Sequence, residues 1–460
     1  MAEPPIRNER PTAGLRDAEV AAALARLSAD DVEVGREAEH VYEALTWGEG
    51  PAVIDQAGLQ HWLWWELTTK YLNDEPEFTA RYAEVAARLF DELGLHRYAA
   101  IARSDTTAEV HAAFARSRSA GRRALLQAIK ASGVEPAELD DFAWGDVFGA
   151  GEADARSAVS RALEAAIDAG ELVPGAKGSQ ALARSVTART LDEAKPGGLG
   201  DTWRQAVVTE RLETWIRGAE RHEPLHRLRA GVANALLHPI EPPPDVAEVM
   251  APLCALLERF GPEQRLTQAG YLAPAFVREI HEAELWDEEL PIGVPRTETD
   301  EPTLHRLRGF LTSAGALRRS GKSLKRTKRG TAMAADPAAA WHGLVAHLGA
   351  SEWERFVTET CLLPLVATDA PVPWDELRTL AGEAAPALGW RSSSGGETRL
   401  PGETEVSWAF ADSRILLELF GMLVEHGDWR DRSYSLTPAG RTTALALLRH
   451  TAAGPKDRAW

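Results

Sequence analysis

Seven cationic residues carry the strongest chemical signal in this sequence: Arg318, Arg319, Lys322, Lys325, Arg326, Lys328 and Arg329, with no acidic residue between them. Side chains of this type and density can neutralise several phosphates, giving salt-dependent binding that positions a polyanion without reading base sequence. Their context reads as a hairpin, with residues 315–319 as one strand, Ser320-Gly321 as the turn and residues 322–326 as the returning strand. On such a wing the seven side chains project from both faces and the tip. The competing expectation is a solvated basic hairpin that pairs with an acidic stretch of the same chain, Glu284 to Glu289 or Glu298 to Glu301.

Other chemically suggestive groups resolve into ordinary structure. In His61-Trp62-Leu63-Trp64-Trp65-Glu66, helical spacing puts Trp62 and Trp65 on one face and Trp64 about 100° from Trp65, the pattern of a core helix rather than of a base-stacking platform. His281-Glu282 lacks the second His that a helical zinc site needs, and His342 and His347 are five residues apart and share no helix face. The two cysteines, Cys254 and Cys361, form neither a disulfide framework nor a C-x-x-C pair. Gly321-Lys322-Ser323 ends like a phosphate loop but has Ala316 where the upstream Gly belongs, and Arg391-Ser392-Ser393-Ser394-Gly395-Gly396 reads as a flexible loop. No catalytic constellation, metal site or cofactor is expected.

The elements that would position the basic run come from periodicity. Apolar stripes at three- and four-residue spacing mark helices at 78–93, 122–132, 158–169 and 203–216. Residues 1–15 read as a polar tail, and 16–240 as a helical region with an internal split near 150. His-Pro-Ile-Glu-Pro-Pro-Pro-Asp at 238–245 cannot continue a helix and is the expected main boundary. Beyond it, residues 245–350 and 351–455 each show helix, hairpin, Thr-x-x-Gly and helix. In the first, 303–311 is amphipathic, the basic hairpin follows, and a helix covers 331–348. In the second, 413–425 is helical, Trp429 and residues 434–436 flank the turn 430–433, and a helix covers 438–451. A third Thr-x-x-Gly occurs at Thr267 to Gly270. Thr suits the helix cap, Pro438 the first helical position, and Gly270, Gly330 and Gly440 a close approach of elements.

The phrases at 266–275, Gly330 to Pro337 and Leu436 to Arg441 resemble a family of bacterial proteins related to the third open reading frame of a plasmid. The resemblance covers about residues 245–450 and, less closely, the Trp-rich stretch before 110. It implies tandem winged-helix-like domains and carries over no activity or catalytic residue. The expected fold is therefore mainly α: an N-terminal helical region followed by two winged-helix-like modules with short β-hairpins.

Charge limits the partners. With 69 acidic and 51 basic side chains the formal net charge is −18, so the mean field repels phosphate and any nucleic-acid contact is local. The second hairpin carries Arg430, Arg432 and Arg441 but also Asp428 and Asp431, and reads as structural. Residues 1–10 lack the apolar core of a signal peptide, and no apolar window approaches the roughly 20 residues of a membrane span. A GC-rich bacterial composition, a reducing compartment and a cytoplasmic location are expected, with no membrane partner. These features suggest a binding or regulatory protein that touches nucleic acid through the basic wing. The alternative is a protein-interaction or self-association scaffold without nucleic-acid binding or catalysis.

Overall fold

The computed structural model describes residues 6–9, 11–70, 76–197, 200–286, 294–349, 351–394, 397–428 and 430–455. The chain is mainly helical, with small antiparallel sheets, and divides into two compact units at Val207/Val208, inside the Trp203–Arg217 helix. No helix among the described residues is long and apolar enough to cross a membrane.

Among the described residues the first unit is built from helices, with one isolated β-bridge between Ala194 and Thr202. Asp17–Asp30 and Val32–Thr46 are separated by Asp31, whose carboxylate caps the second helix by accepting from the Glu33 and Val34 N–H groups. Ser117 likewise divides Asp105–Arg116 from Arg118–Ala131 and accepts from Ala120 N. Residues expected to form a free tail are engaged, because Glu9 N donates to Gly94 O and Asn8 Oδ1 accepts from Arg97 N. Trp62–Glu66 is a π-helical turn in which Trp62 and Trp64 are each 2% exposed, so this aromatic cluster belongs to the core.

Two apolar clusters fill the unit, one drawn from residues 15–128 and one from 134–207. A buried polar cluster spans them. Arg97 donates to Gln56 and to Glu164, and Tyr98 Oη also donates to Glu164. Gln56 N donates to Glu164 Oε2 at 2.9 Å, and Arg97 Nε lies 3.0 Å from Asp168 Oδ1. Burial pushes the Glu164 carboxyl above the usual carboxylate range, opposed by the Arg97 charge.

The second unit repeats one order of elements. Helix Ala251–Phe260, strand β1 (Glu263–Arg265), helices Pro274–Glu282 and Pro302–Ser313, strands β2 (Leu317–Ser320) and β3 (Ser323–Arg326) and helix Lys328–Ala335 form the first set. Helix Glu352–Ala367, strand β4 (Val372–Pro373), helices Trp374–Ala387 and Glu403–Leu419, strands β7 (Leu423–His426) and β8 (Ser433–Leu436) and helix Pro438–Ala453 form the second. A hairpin of β5 (Ser392–Ser394) and β6 (Glu397–Arg399) is inserted, so the stretch expected to be a loop contains paired strands; Gly395 and Gly396 lie outside the described residues. Both three-stranded sheets are antiparallel with the third strand central, β1-β3-β2 and β4-β8-β7.

One continuous core runs from Val208 to Ala453 and joins both sets. The Pro-rich stretch at 238–245 lies within this unit, because the helix before it is tied into the core. Arg229 donates from Nε and Nη2 to Glu359 Oε1 at 3.0 and 2.7 Å, and Trp215 Nε1 donates to the same oxygen at 3.0 Å. Proline breaks a helix but does not stop the segments on either side from sharing a core.

Local differences from expectation have local causes. The helix foreseen at 331–348 is two helices, Lys328–Ala335 and Pro337–His347, because Pro337 has no N–H to donate and Asp336 caps the second by accepting from Ala338 N at 3.0 Å. The helix foreseen at 413–425 begins at Glu403 and ends at Leu419; Gly421, at φ 62°, turns the chain and Leu423 to Glu425 enter β7. Trp429 lies outside the described residues.

Two Thr-x-x-Gly phrases do the same structural work. Thr327 and Thr437 are helix N-caps whose hydroxyls accept from the Gly330 and Gly440 N–H groups, each at 3.1 Å. A Cβ on Gly330 would lie 2.2 Å from Ala316 O, and one on Gly440 1.7 Å from Met422 O, so only glycine permits this approach of helix to the residue before the hairpin. The Thr267–Gly270 phrase differs. It forms a turn closed by Gly270 N to Thr267 O, Gly270 is left-handed at φ 87°, and the next helix starts only at Pro274.

Candidate nucleic-acid interface

The basic hairpin is rigidly framed. Ser320 pairs with Ser323 across a two-residue turn, Gly321 at φ 60° followed by Lys322, which is the pattern of a type II′ hairpin with glycine first. Leu317 and Leu324, 1% and 4% exposed, point into the core and fix which face of the sheet is inside. The strand period of two then sends Arg318 and Lys325 to the opposite face, where they are direct neighbours.

The seven cations do not behave alike. Arg318, Arg319, Lys322, Lys328 and Arg329 are exposed, and among the described residues no carboxylate forms an ion pair with any of them. Arg319 lies beside the Gly270 turn, its guanidinium 3.4 Å from where a Cβ on that glycine would stand. Lys328 and Arg329 open the Lys328–Ala335 helix, an end whose dipole disfavours cations. Lys325 is half-buried and meets Glu263 Oε2 at 3.4 Å. Arg326 is turned away from the wing surface: it donates from Nη1 to Leu257 O at 2.9 Å, satisfying a carbonyl in the last turn of the Ala251–Phe260 helix. A basic residue at the inward parity of a strand caps a helix here, a role that charge counting cannot see.

Glu298 and Glu301, in the second acidic stretch considered as a partner, are occupied elsewhere. Glu298 is fully buried and accepts from Leu272 N at 2.7 Å, with His305 Nδ1 and Arg308 Nε each 2.9 Å from Oε1. Glu301 is 2% exposed and lies 3.6 Å from His281 Nδ1. Glu284 remains as part of the first stretch, whereas residues 287–289 lie outside the described ones. Between Glu301 and Asp336 the sequence has no acidic residue and nine basic ones, so the local field is positive in a strongly acidic chain.

Helix Pro302–Ser313, which precedes the hairpin, contributes little free charge. Arg306 pairs with Asp412 at 3.1 Å, and Arg308 is held by Glu298 and by Gly270 O. The equivalent hairpin in the second set is neutralised by its own carboxylates. Glu425 lies 3.3 Å from Arg414 Nη1 and 3.1 Å from Arg432 Nε, and it accepts from Tyr434 Oη at 3.2 Å. Burial pushes the Tyr434 phenol up to about 12. Arg441 pairs with Asp369.

One basic residue escaped sequence reasoning. Arg265 lies on β1, more than 50 positions before the hairpin, yet β1 pairs with β3 and opposes Arg265 to Ser323. Only the strand order reveals it.

Among the described residues no group of three or more His, Cys, Asp or Glu side chains is placed to hold a metal ion. Burial raises the Cys361 thiol well above its usual range. In the first unit a cavity of about 560 Å³ is lined by Thr68, Arg103, Thr107 and His111 among others, but its polar groups are already engaged. Arg103 is held by Glu84 and Asp91, Thr107 by Trp64 Nε1, and His111 Nε2 lies 2.9 Å from Leu63 O. Comparison of the chain with family models, curated proteins and solved structures finds no match to any of them.

Proposed function

We propose that the two repeated sets in the second unit are winged-helix-like modules, the layout implied by the resemblance to the plasmid third-open-reading-frame family, and that the first contacts nucleic acid through β2 and β3. On this reading the chain is a binding or regulatory protein. The observation that carries it is the group of five exposed cations without carboxylate partners among the described residues: Arg318, Arg319 and Lys322 on a hairpin anchored by Leu317 and Leu324, and Lys328 and Arg329 at the start of the helix that follows it. Because Arg306 and Arg308 are bound internally, the contact is with phosphates, and affinity follows salt rather than sequence.

The test is binding of a fluorescent DNA duplex across a salt series. Wild type is expected to bind at low salt with affinity falling steeply as salt rises. Alanine at the five positions should lower affinity at least 100-fold and flatten the slope. Equal binding by wild type and variant defeats the reading.

One observation favours a protein partner instead. Trp408 is 75% exposed on the Glu403–Leu419 helix, in a module whose hairpin carries no free positive field. That reading requires an assembly larger than one chain in light scattering, reduced by Trp408→Ala; a monodisperse monomer with no partner counts against it.

A further inference from the structure

The outward face of the first sheet holds more than the predicted cations. Strand register places Glu263, Lys325 and Arg318 in one row across β1, β3 and β2, and Arg265, Ser323 and Ser320 in the adjoining row. All six share the parity opposite to Leu317 and Leu324, so they face away from the core. Five of the six can donate to a phosphate oxygen, and the sixth is a carboxylate. Among the described residues Arg265 has no ion pair or side-chain hydrogen bond.

Glu263 is the exception that shapes the site. Its carboxylate shares this face with Ser323 and meets Lys325 Nζ at 3.4 Å, and these neighbours hold it below the usual carboxylate range. Both members of the ion pair are about half exposed, at 44% and 45%. A pair this open contributes little to stability and exchanges readily with other ligands. One phosphate-binding group, Lys325, is thus occupied by an anion belonging to the chain itself.

We propose that the two rows form one phosphate-binding face, with Arg265 as an additional contact, and that Glu263 is a built-in competitor that a nucleic-acid phosphate displaces from Lys325. This rests on the nucleic-acid reading above and sets its strength: the wing is held below the affinity its cations allow. The geometry makes removal of one carboxylate a gain of function. Lys325 then contributes a full phosphate contact, and the salt slope steepens.

The experiment uses the full chain and a duplex of about 20 base pairs, read by fluorescence anisotropy across a salt series. Glu263→Gln is expected to bind about three- to tenfold more tightly at about 50 mM salt, with the log–log slope steeper by about 0.9. Lys325→Ala should change affinity less than about twofold in the wild-type background and erase the gain in the Glu263→Gln background. Arg265→Ala should weaken binding and flatten the slope by about 0.9. Glu109→Gln, on an exposed position of the first unit, removes the same net charge and should leave binding unchanged. Glu263→Ala provides a second variant should Glu263→Gln fail to fold. If wild type binds and neither Glu263 variant exceeds it, the competitor is refuted while the wing reading stands. A gain that persists after Lys325→Ala also refutes it, as a net-charge effect. Absence of binding by every form at low salt defeats the underlying reading instead.

Discussion

The two hairpins of the second unit have the same strand order and the same glycine-dependent junction, yet opposite electrostatics. In the first, one carboxylate, Glu263, meets one of seven cations, and the rest of the positive charge faces solvent apart from the inward-turned Arg326. In the second, Glu425 gathers Arg414, Arg432 and Tyr434 around itself, and Asp431 folds the turn. A shared backbone therefore says nothing about shared binding; the two differ in where the carboxylates stand.

The comparison can be broken most severely at its common frame. Gly440→Ala and Gly330→Ala each force a methyl group into a backbone carbonyl. Each should cost about 3 kcal/mol or more in urea unfolding, the greater loss falling at Gly440. Tolerance of either change would mean the junctions are not built alike. A smaller effect separates framework from surface within the first hairpin. Arg326→Met should cost about 1–2 kcal/mol, the value of a lost hydrogen bond to a partly buried carbonyl, while leaving the salt slope of nucleic-acid binding intact. Arg318→Ala should do the reverse.

The next test moves the second hairpin toward the first. Glu425→Gln releases Arg432, while Arg414 stays paired with Glu418 at 2.8 Å, and should raise duplex affinity about twofold at low salt, whereas Arg432→Ala alone should change it less than about twofold. If Arg432→Ala weakens binding as much as Arg318→Ala does, the electrostatic contrast is wrong. The smallest effect is a titration. The Asp428 backbone N–H, then its side chain, hold the Asp431 carboxyl below the usual range. A depressed folded-state value means that its stabilising contribution is present above the unfolded value and is lost as pH falls through the folded one. By NMR, Asp431 should thus titrate below an ordinary aspartate, and Asp428→Ala, which keeps the backbone N–H, should raise it only part of the way.

Much of this architecture was legible in the sequence because it depends on short-range rules. The basic hairpin needed only a turn glycine and alternating strands, and the long helices showed their stripes. The Thr-x-x-Gly phrase was readable twice and misleading once, because a helix cap and an isolated turn use the same residues; only the start of the next helix at Pro274, four positions beyond Gly270, tells the turn from the cap. The break at Asp336-Pro337 carried its own signal in a capping residue before a proline. By contrast, nothing local distinguishes Arg326 from Arg318, since the difference lies in a carbonyl at Leu257. Arg265 and Glu263 joined the site only through pairing of strands far apart in the chain. Burial of Glu298 was hidden because its acidic neighbours are solvated in any count of charge.

The cluster around Arg97 bears on how the first unit comes into being during synthesis. Its carboxylate partners, Glu164 and Asp168, lie more than 60 residues downstream, in a helix that begins only at Ala150. A nascent or truncated chain ending at the Gly-rich stretch near 150 would have to bury a guanidinium with no counter-charge, or leave its surroundings unpacked. Loss of one partner from a buried pair costs about 3–5 kcal/mol, comparable to the whole stability of many small domains. Completion of this half therefore requires the helix that starts at Ala150, and the glycines near 150 do not mark a place where the chain can be cut.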